Sequence, residues 1–161
     1  MISQQSAAVQ DFYPGDFAHC YGCGTLNAHG LQIKTYSEGE QTVARFVPRD
    51  YHTALPGFVY GGLIASLIDC HSMATAAAAS EKAAGREIGE APAPRYVTAA
   101  LHVNYIHPTP LGPVLTLRSR VQMFSPRKVV IVTELSADEI ITATGEVVAV
   151  PLPSTMAGQN P

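Results

Sequence analysis

Residues 55–80 form the longest nearly uncharged apolar window in the chain, and a glycine pair sits near its start, in Pro56-Gly57-Phe58-Val59-Tyr60-Gly61-Gly62. Leu63, Ile64, Leu67, Ile68 and the alanines from position 74 onward put apolar residues on most faces of a helix. That helix is expected from about residue 61 to about residue 84, with Gly85 suited to the position just past its end. A helix apolar on every side has to be surrounded, and the rest of the chain must supply the wrapping. Asp69, His71 and several Ser and Thr interrupt the window, which reads as a buried core helix rather than a membrane span.

The wrapping is written as β-pattern. Residues 31–36 read as a strand, 37–40 as a turn, and 42–47 as a second strand ended by Pro48. After a loop at 86–94 the alternation resumes at 96–107, where Val97, Ala99, Leu101, Val103 and Tyr105 oppose Thr98, Ala100, His102, Asn104 and Ile106. Segments 115–124, 128–136 and 140–150 complete a four-strand meander, with Ser125-Pro126-Arg127 as one of its turns. The expected class is therefore α+β: one long central helix wrapped by an antiparallel sheet of about five to six strands. Residues 1–18 read as a loose arm or a short helical lead-in, 19–150 as the single domain, and 151–161 as a tail expected to be disordered.

The chain has 161 residues, enough for one core. Hydrophobic residues make up 47% and charged residues only 14%, so part of the surface is expected to be covered in an oligomer. The net charge is −3 and no basic run occurs, which argues against a nucleic-acid partner; no membrane partner is expected either. The start MISQQSAAVQDFYPGD has neither a basic n-region nor an apolar h-region. With three cysteines, an odd count, this points to a reducing compartment, and a cytoplasmic location is expected.

Asp69 is the acid that stands out. Leu67, Ile68 and Cys70 surround it, and no Lys or Arg lies within four residues. Buried there, it would have a raised pKa and could serve as base or nucleophile; the plainer reading is an exposed helical acid. Gly61 and Gly62 open the helix, where free N–H groups could hold an oxyanion, or where close packing alone could require glycine. Cys20 and Cys23 make a C-x-x-C pair, but a zinc site needs four ligands and no second pair follows at matching spacing. His19 and His29 lie nearby; a structural loop is the favoured reading, and no metal is expected. His71 points roughly 200° around the helix from Asp69 and reads as a satisfied core or interface histidine. His102, Arg118 and Arg120 read as solvated sheet surface.

Three motifs in order carry a resemblance. Cys20-Tyr21-Gly22-Cys23-Gly24 with Asn27 and Gly30-Leu31, then PGFVYGGLIASLID, then Tyr105-Ile106-His107-Pro108 with Pro110-Leu111-Gly112, together resemble the hotdog-fold acyl-CoA thioesterases of the PaaI-like family. The resemblance covers roughly residues 19–150. It implies hydrolysis of an acyl-CoA thioester, with Asp69 as general base or nucleophile and the Gly61 N–H polarising the carbonyl. Thr98 falls where a hydroxyl lies near the water or the acid, and in such dimers acid and hydroxyl can come from different subunits. Gly62 would contact substrate, and Arg127 and Lys128 would approach the CoA phosphates. A homodimer joined through the third strands, or a dimer of dimers, is implied, with no cofactor beyond the CoA of the substrate.

The chain departs from the family at Tyr60, where a histidine is usual before the glycine pair, and at Ala54, where some members carry asparagine; His52 matches the branch pattern, and the resemblance places it with Asp69, Gly61, Tyr60 and Thr98 among the implied catalytic residues. Tyr60 could lend its hydroxyl to the oxyanion, although a tyrosine is a poor base at neutral pH. A second reading is a non-catalytic hotdog module that holds acyl-CoA or another acyl ligand, a role Tyr60 favours. A hydratase on the same fold ranks last, since no D-x-N-P-x-H segment is present.

Overall fold

A computed structural model describes residues 7–158. Strands β1 (Thr35–Glu38) and β2 (Gln41–Phe46) precede helix α1 (Gly61–Ala83). Strands β3 (Tyr96–Tyr105), β4 (Leu115–Ser125), β5 (Lys128–Ala137) and β6 (Ile140–Pro151) follow it. They form one six-stranded antiparallel sheet in the order β1-β2-β4-β5-β6-β3, so β1 and β3 are its edges.

The helix packs across one face of this sheet, against β3, β4, β5 and β6. Leu67, Ile68, Ala74, Ala76 and Ala77 on α1 are fully buried, as are Leu117, Ile131, Leu135, Val147 and Ala149 on the strands. By length and composition α1 could cross a bilayer, yet 67% of its most apolar window is buried inside the fold. It approaches the sheet so closely that a Cβ at Gly145 would lie 2.4 Å from Ile68 Cγ2, which is why a strand residue there carries no side chain. The helix ends in a Schellman motif: the N–H of Gly85 donates to Lys82 O and that of Arg86 to Glu81 O, with Gly85 at φ 71°.

Polar side chains inside the core are paired. Thr35 Oγ1 lies 2.9 Å from His71 Nδ1, and Gln10 Nε2 donates to the same hydroxyl. Burial pushes the His71 pKa down to about 3, so the ring is a neutral core residue, as expected. Thr42 pairs with Thr75, and Thr133 joins Ser72 to Ser119.

The strand order corrects the expected four-strand meander: β3 pairs with β6 and not with β4, so the meander is the three strands β4-β5-β6. Three further expectations change, and one of two readings is selected. The first strand does not occupy 31–36. Leu31 and Ile33 alternate like a strand, but their N–H groups donate to Tyr21 O and Gly22 O in the cysteine loop, so the sheet begins only at Thr35. Of the two readings of the N-terminal arm, the lead-in fits residues 7–18: two 3-10 turns, Val9–Phe12 and Gly15–Phe17, with Ala8, Val9, Gln10 and Ala18 buried. Positions 1–6 lie outside the described residues. The tail is ordered at its start, since Pro151 pairs with Tyr96 and the Leu152 N–H donates to Arg95 O; positions 159–161 lie outside the described residues. Finally, the alternation of β3 is not matched by alternating burial: every residue from Thr98 to His102 is exposed, because no strand or helix among the described residues covers that edge.

Candidate active site

Asp69 lies on the half-open stripe of α1. Gly62, Ala65, Ser66 and Asp69 recur at helical spacing and are only partly buried, whereas the residues between them pack inward. From this stripe the Asp69 carboxylate faces β3, where Thr98 Oγ1 donates a hydrogen bond to Asp69 Oδ1. A register shift between Thr98 and Ala100 puts one extra residue into β3 at this point; such bulges turn side chains toward a site. Burial raises the Asp69 pKa above the ordinary carboxylate range, and the Thr98 hydrogen bond opposes that shift. Both residues of this pair belong to the same chain.

The helix start forms a separate cluster. Tyr60 is the N-cap but makes no side-chain capping bond, and its carbonyl accepts the N–H groups of Leu63 and Ile64. The N–H groups of Gly61 and Gly62 find no acceptor among the described residues. Tyr105, at the far end of β3, donates its hydroxyl to Gly61 O at 2.7 Å. The Tyr60 ring is exposed and folds back over Gly62, where an added Cβ would meet Tyr60 Cε1 at 2.4 Å. An apolar cleft of about 450 Å³ opens beside these residues, lined by Leu55, Phe58, Gly61, Ile64, Tyr105 and Ile106. A larger cavity of about 590 Å³, at the other end of α1 and lined by Thr42, Lys82 and Phe124, holds none of these groups.

His52 braces the loop before the helix. Its carbonyl accepts the Tyr60 N–H at 2.9 Å, its Nδ1 accepts the Arg49 N–H at 3.0 Å, and its ring packs on Phe46 and Tyr51. Partial burial, with Arg49 adding to it, lowers the His52 pKa. Arg127 and Lys128 are exposed in the β4–β5 turn, which Ser125 closes by bonding both the N–H and the carbonyl of Lys128. Val129 and Thr98 both register with Ala149 on β6, so this turn sits two strand spacings, roughly 10 Å, from Thr98.

Asp69 and Gly61 are not brought together within one chain. They lie eight positions apart on α1, roughly 12 Å along the helix axis. Tyr105, which holds the Gly61 carbonyl, was visible in the sequence only as part of the Tyr105-Ile106-His107-Pro108 motif.

The cysteines form a third cluster, one the C-x-x-C spacing alone did not indicate. Cys70 on α1 meets Cys20 and Cys23, and their sulfurs all lie within 4.8 Å of one another; none is in a disulfide. The Cys23 and Cys70 thiols and the N–H groups of Gly22 and Cys23 approach Cys20 Sγ and hold its pKa far below the usual thiol range. The contact with Cys20 raises the Cys23 thiol to about 11 and pushes Cys70 well above the usual value.

Residues 56–148 match the family model described as the thioesterase superfamily. A thioesterase superfamily protein from Shewanella loihica PV-4 is 45% identical, with a TM-score of 0.67 over 86% of this chain and 97% of its own. The PaaI protein of the E. coli phenylacetic acid degradation operon shares the fold at 16% identity, with a TM-score of 0.60 over 76% of this chain and 81% of its own. The acyl-coenzyme A thioesterase THEM4 of Xenopus laevis is 36% identical over 95 residues, which is 58% of this chain but only 37% of that relative's length. The helix wrapped by its sheet is the hotdog fold of these structures, and the chain belongs to the thioesterase superfamily.

Proposed function

We propose that the chain hydrolyses acyl-CoA thioesters at sites assembled between two copies. The observation that carries this reading is the placement of two half-sites at opposite ends of one open edge strand. Asp69 and Thr98 occupy one end of β3, and Gly61, tied to Tyr105, occupies the other. If two β3 edges pair antiparallel about their middle, near Leu101 and His102, Thr98 of one copy stands opposite Tyr105 of the other. The acid of each copy then meets the free helix-start N–H groups of its neighbour. Such pairing would also cover the exposed β3 edge, an arrangement that protects unpaired strand groups. The described chain leaves Leu101, Tyr105 and Ile106 exposed along that edge.

At such a site the Gly61 and Gly62 N–H groups would polarise the thioester carbonyl. Asp69, as base, takes a proton from water, and the resulting hydroxide adds to the carbonyl carbon. The tetrahedral oxyanion collapses, the C–S bond breaks, and the CoA thiolate takes the proton back from Asp69. As nucleophile, Asp69 would instead add to the carbonyl carbon and expel the CoA thiolate, forming an acyl anhydride; water then cleaves the anhydride, restoring the carboxylate, and the thiolate takes up a proton released in that step. Thr98 orients the carboxylate in either case. The apolar cleft beside Gly61 suits the acyl group, and Arg127 with Lys128 offers two cations for the CoA phosphates at the Thr98 end of the sheet. A Streptococcus mutans protein of the same fold, 17% identical with a TM-score of 0.58 over 74% of this chain and 88% of its own, was solved bound to acetyl-CoA, which supports that ligand class. Protein groups and water suffice for this scheme, and a dimer, alone or paired into a dimer of dimers, completes its sites; a cytoplasmic location is part of the same proposal.

One observation favours the binding-module reading: the Tyr60 ring lies over Gly62, where an incoming carbonyl would have to reach the N–H groups. Thiol release from a panel of acyl-CoA esters, measured for the native protein and for Asp69→Ala with folding checked by circular dichroism, separates the two. Hydrolysis lost in a folded variant supports the enzyme. Tight acyl-CoA binding without turnover in the native protein supports the module.

A further inference from the structure

We propose that Cys20, Cys23 and Cys70 form a three-thiolate site for a zinc-class divalent cation, with a fourth position left for water. This inference goes beyond the hydrolysis reading and does not depend on it.

Geometry comes first. Zn–S bonds of about 2.3 Å in a tetrahedron place sulfurs about 3.8 Å apart. Cys20 Sγ and Cys70 Sγ are 3.7 Å apart, and all three sulfurs fall within 4.8 Å of one another. The ligands come from two rigid pieces. Cys70 is buried on α1, while Cys20 and Cys23 sit in a tight turn closed by the Gly24 N–H on Cys20 O at 2.7 Å. The turn is held in turn by Leu31 and Ile33, whose N–H groups donate to Tyr21 O and Gly22 O.

The glycines of the turn are explained by the same convergence. A Cβ at Gly22 would lie 2.2 Å from Cys70 Sγ, and one at Gly24 would lie 2.5 Å from Ala18 O. With both side chains absent, the turn folds tightly enough to bring Cys20 and Cys23 against Cys70.

Charge balance supplies an independent observation. Three thiolates around a divalent ion carry a net charge of −1. Arg95 lies close enough for its charge to act on Cys23 and Cys20, stacked 4.4 Å above the Tyr13 ring. Its Nη1 is buried with no hydrogen-bond partner among the described residues. A partly buried guanidinium with an idle donor, its charge acting on Cys20 and Cys23, is suited to offset an anionic metal–thiolate centre. Three sulfur ligands select a borderline-soft ion over magnesium or calcium. A disulfide would use only two of the three sulfurs and would leave the third without a role. On loading, each thiol gives up its proton as the metal–sulfur bond forms, so loading releases protons. The ion would pin the 20–24 turn to α1 next to Asp69.

The test uses the full chain, free of any affinity tag, incubated with Zn²⁺ and desalted. Elemental analysis should find one zinc per chain, and Co²⁺ in its place should give near-ultraviolet sulfur-to-cobalt charge-transfer bands. Both signals should vanish in Cys20→Ser and Cys70→Ser and persist in His19→Ala, whose side chain is exposed and outside the cluster. A readout on the native chain alone guards against variants that fail to fold: the three thiols should resist alkylation when loaded and react after chelation. Folded native protein without stoichiometric zinc or cobalt bands overturns the proposal. So does a metal-free chain lighter by two hydrogens with a disulfide among these cysteines.

Discussion

The Thr98 hydroxyl donates to Asp69 Oδ1 within a single chain, so a strand at the open edge of the sheet orients the acid of the core helix. A hydrogen bond to a charged group contributes about 1.5–3 kcal/mol, equivalent to roughly 10–100-fold in rate. Thr98→Ala should lower kcat by that factor with KM little changed, and Thr98→Ser should recover most of the loss. Steady-state kinetics with one acyl-CoA ester checks this; equal activity in all three proteins would detach Thr98 from the reaction.

At Gly145 sheet and helix touch closely, with Ile68 Cγ2 occupying the space a Cβ would need. Gly145→Ala should destabilise the fold by about 1–3 kcal/mol, the usual cost of overpacking. Adding Ile68→Val should recover part of that loss because it trims the clashing side chain. Urea unfolding of the single and double variants measures both.

Glu81 is 2% exposed and takes two hydrogen bonds from Arg86, at 2.9 Å from Nε and 2.6 Å from Nη2. Those bonds hold the Glu81 pKa below its ordinary value. A depressed carboxylate stabilises the fold fully above its unfolded pKa and loses that contribution as pH falls through the folded one. Native protein should therefore be more stable than Glu81→Gln at pH 7, and the gap should close on acidification through the carboxylate range. Melting temperatures of both proteins across pH give the result; a gap that widened in acid would contradict the assignment.

The β5–β6 hairpin turns on Asp138 and Glu139, both with positive φ, 50° and 66°. A two-residue turn of this hand prefers Asn-Gly. Replacing the pair by Asn-Gly should stabilise the protein by about 0.5–1 kcal/mol, since relieved backbone strain exceeds the added flexibility of glycine. Thermal unfolding tests it.

The sequence made α1 legible almost to the residue because its apolar run and Gly85 mark both ends locally. The strands after the helix were equally legible as strands, since period-2 alternation and its Pro and Gly breaks are local signals, but their order was not, because β3 pairs with β6 and only β4-β5-β6 form a meander. What was hidden depends on long-range contact. Leu31 and Ile33 look like strand residues, yet their backbone bonds go to the cysteine loop. Cys70 joins Cys20 and Cys23 from far along the chain, where a search for local ligand spacing does not reach. The bulge at Thr98 breaks the alternation of β3, and no composition signal announces it. Asp69 stood out from its apolar neighbours and the lack of a nearby cation, a pattern that does not by itself separate a catalytic acid from a surface one, whereas Thr98 entered only through family resemblance.

The composite site is the central claim, and mixed dimers test it most directly. Gly61→Pro removes one helix-start N–H at a position where proline is tolerated, and loss of an oxyanion donor costs about 10²–10³ in kcat. Asp69→Ala removes the acid. Each variant alone should be nearly inactive in acyl-CoA thiol release. In the mixed dimer, one of the two sites draws its acid from the Gly61→Pro chain and its donors from the Asp69→Ala chain, so co-expressed and separately tagged chains should regain up to half the native activity. Mixed dimers that stay as inactive as the two variants would contradict a site shared between copies.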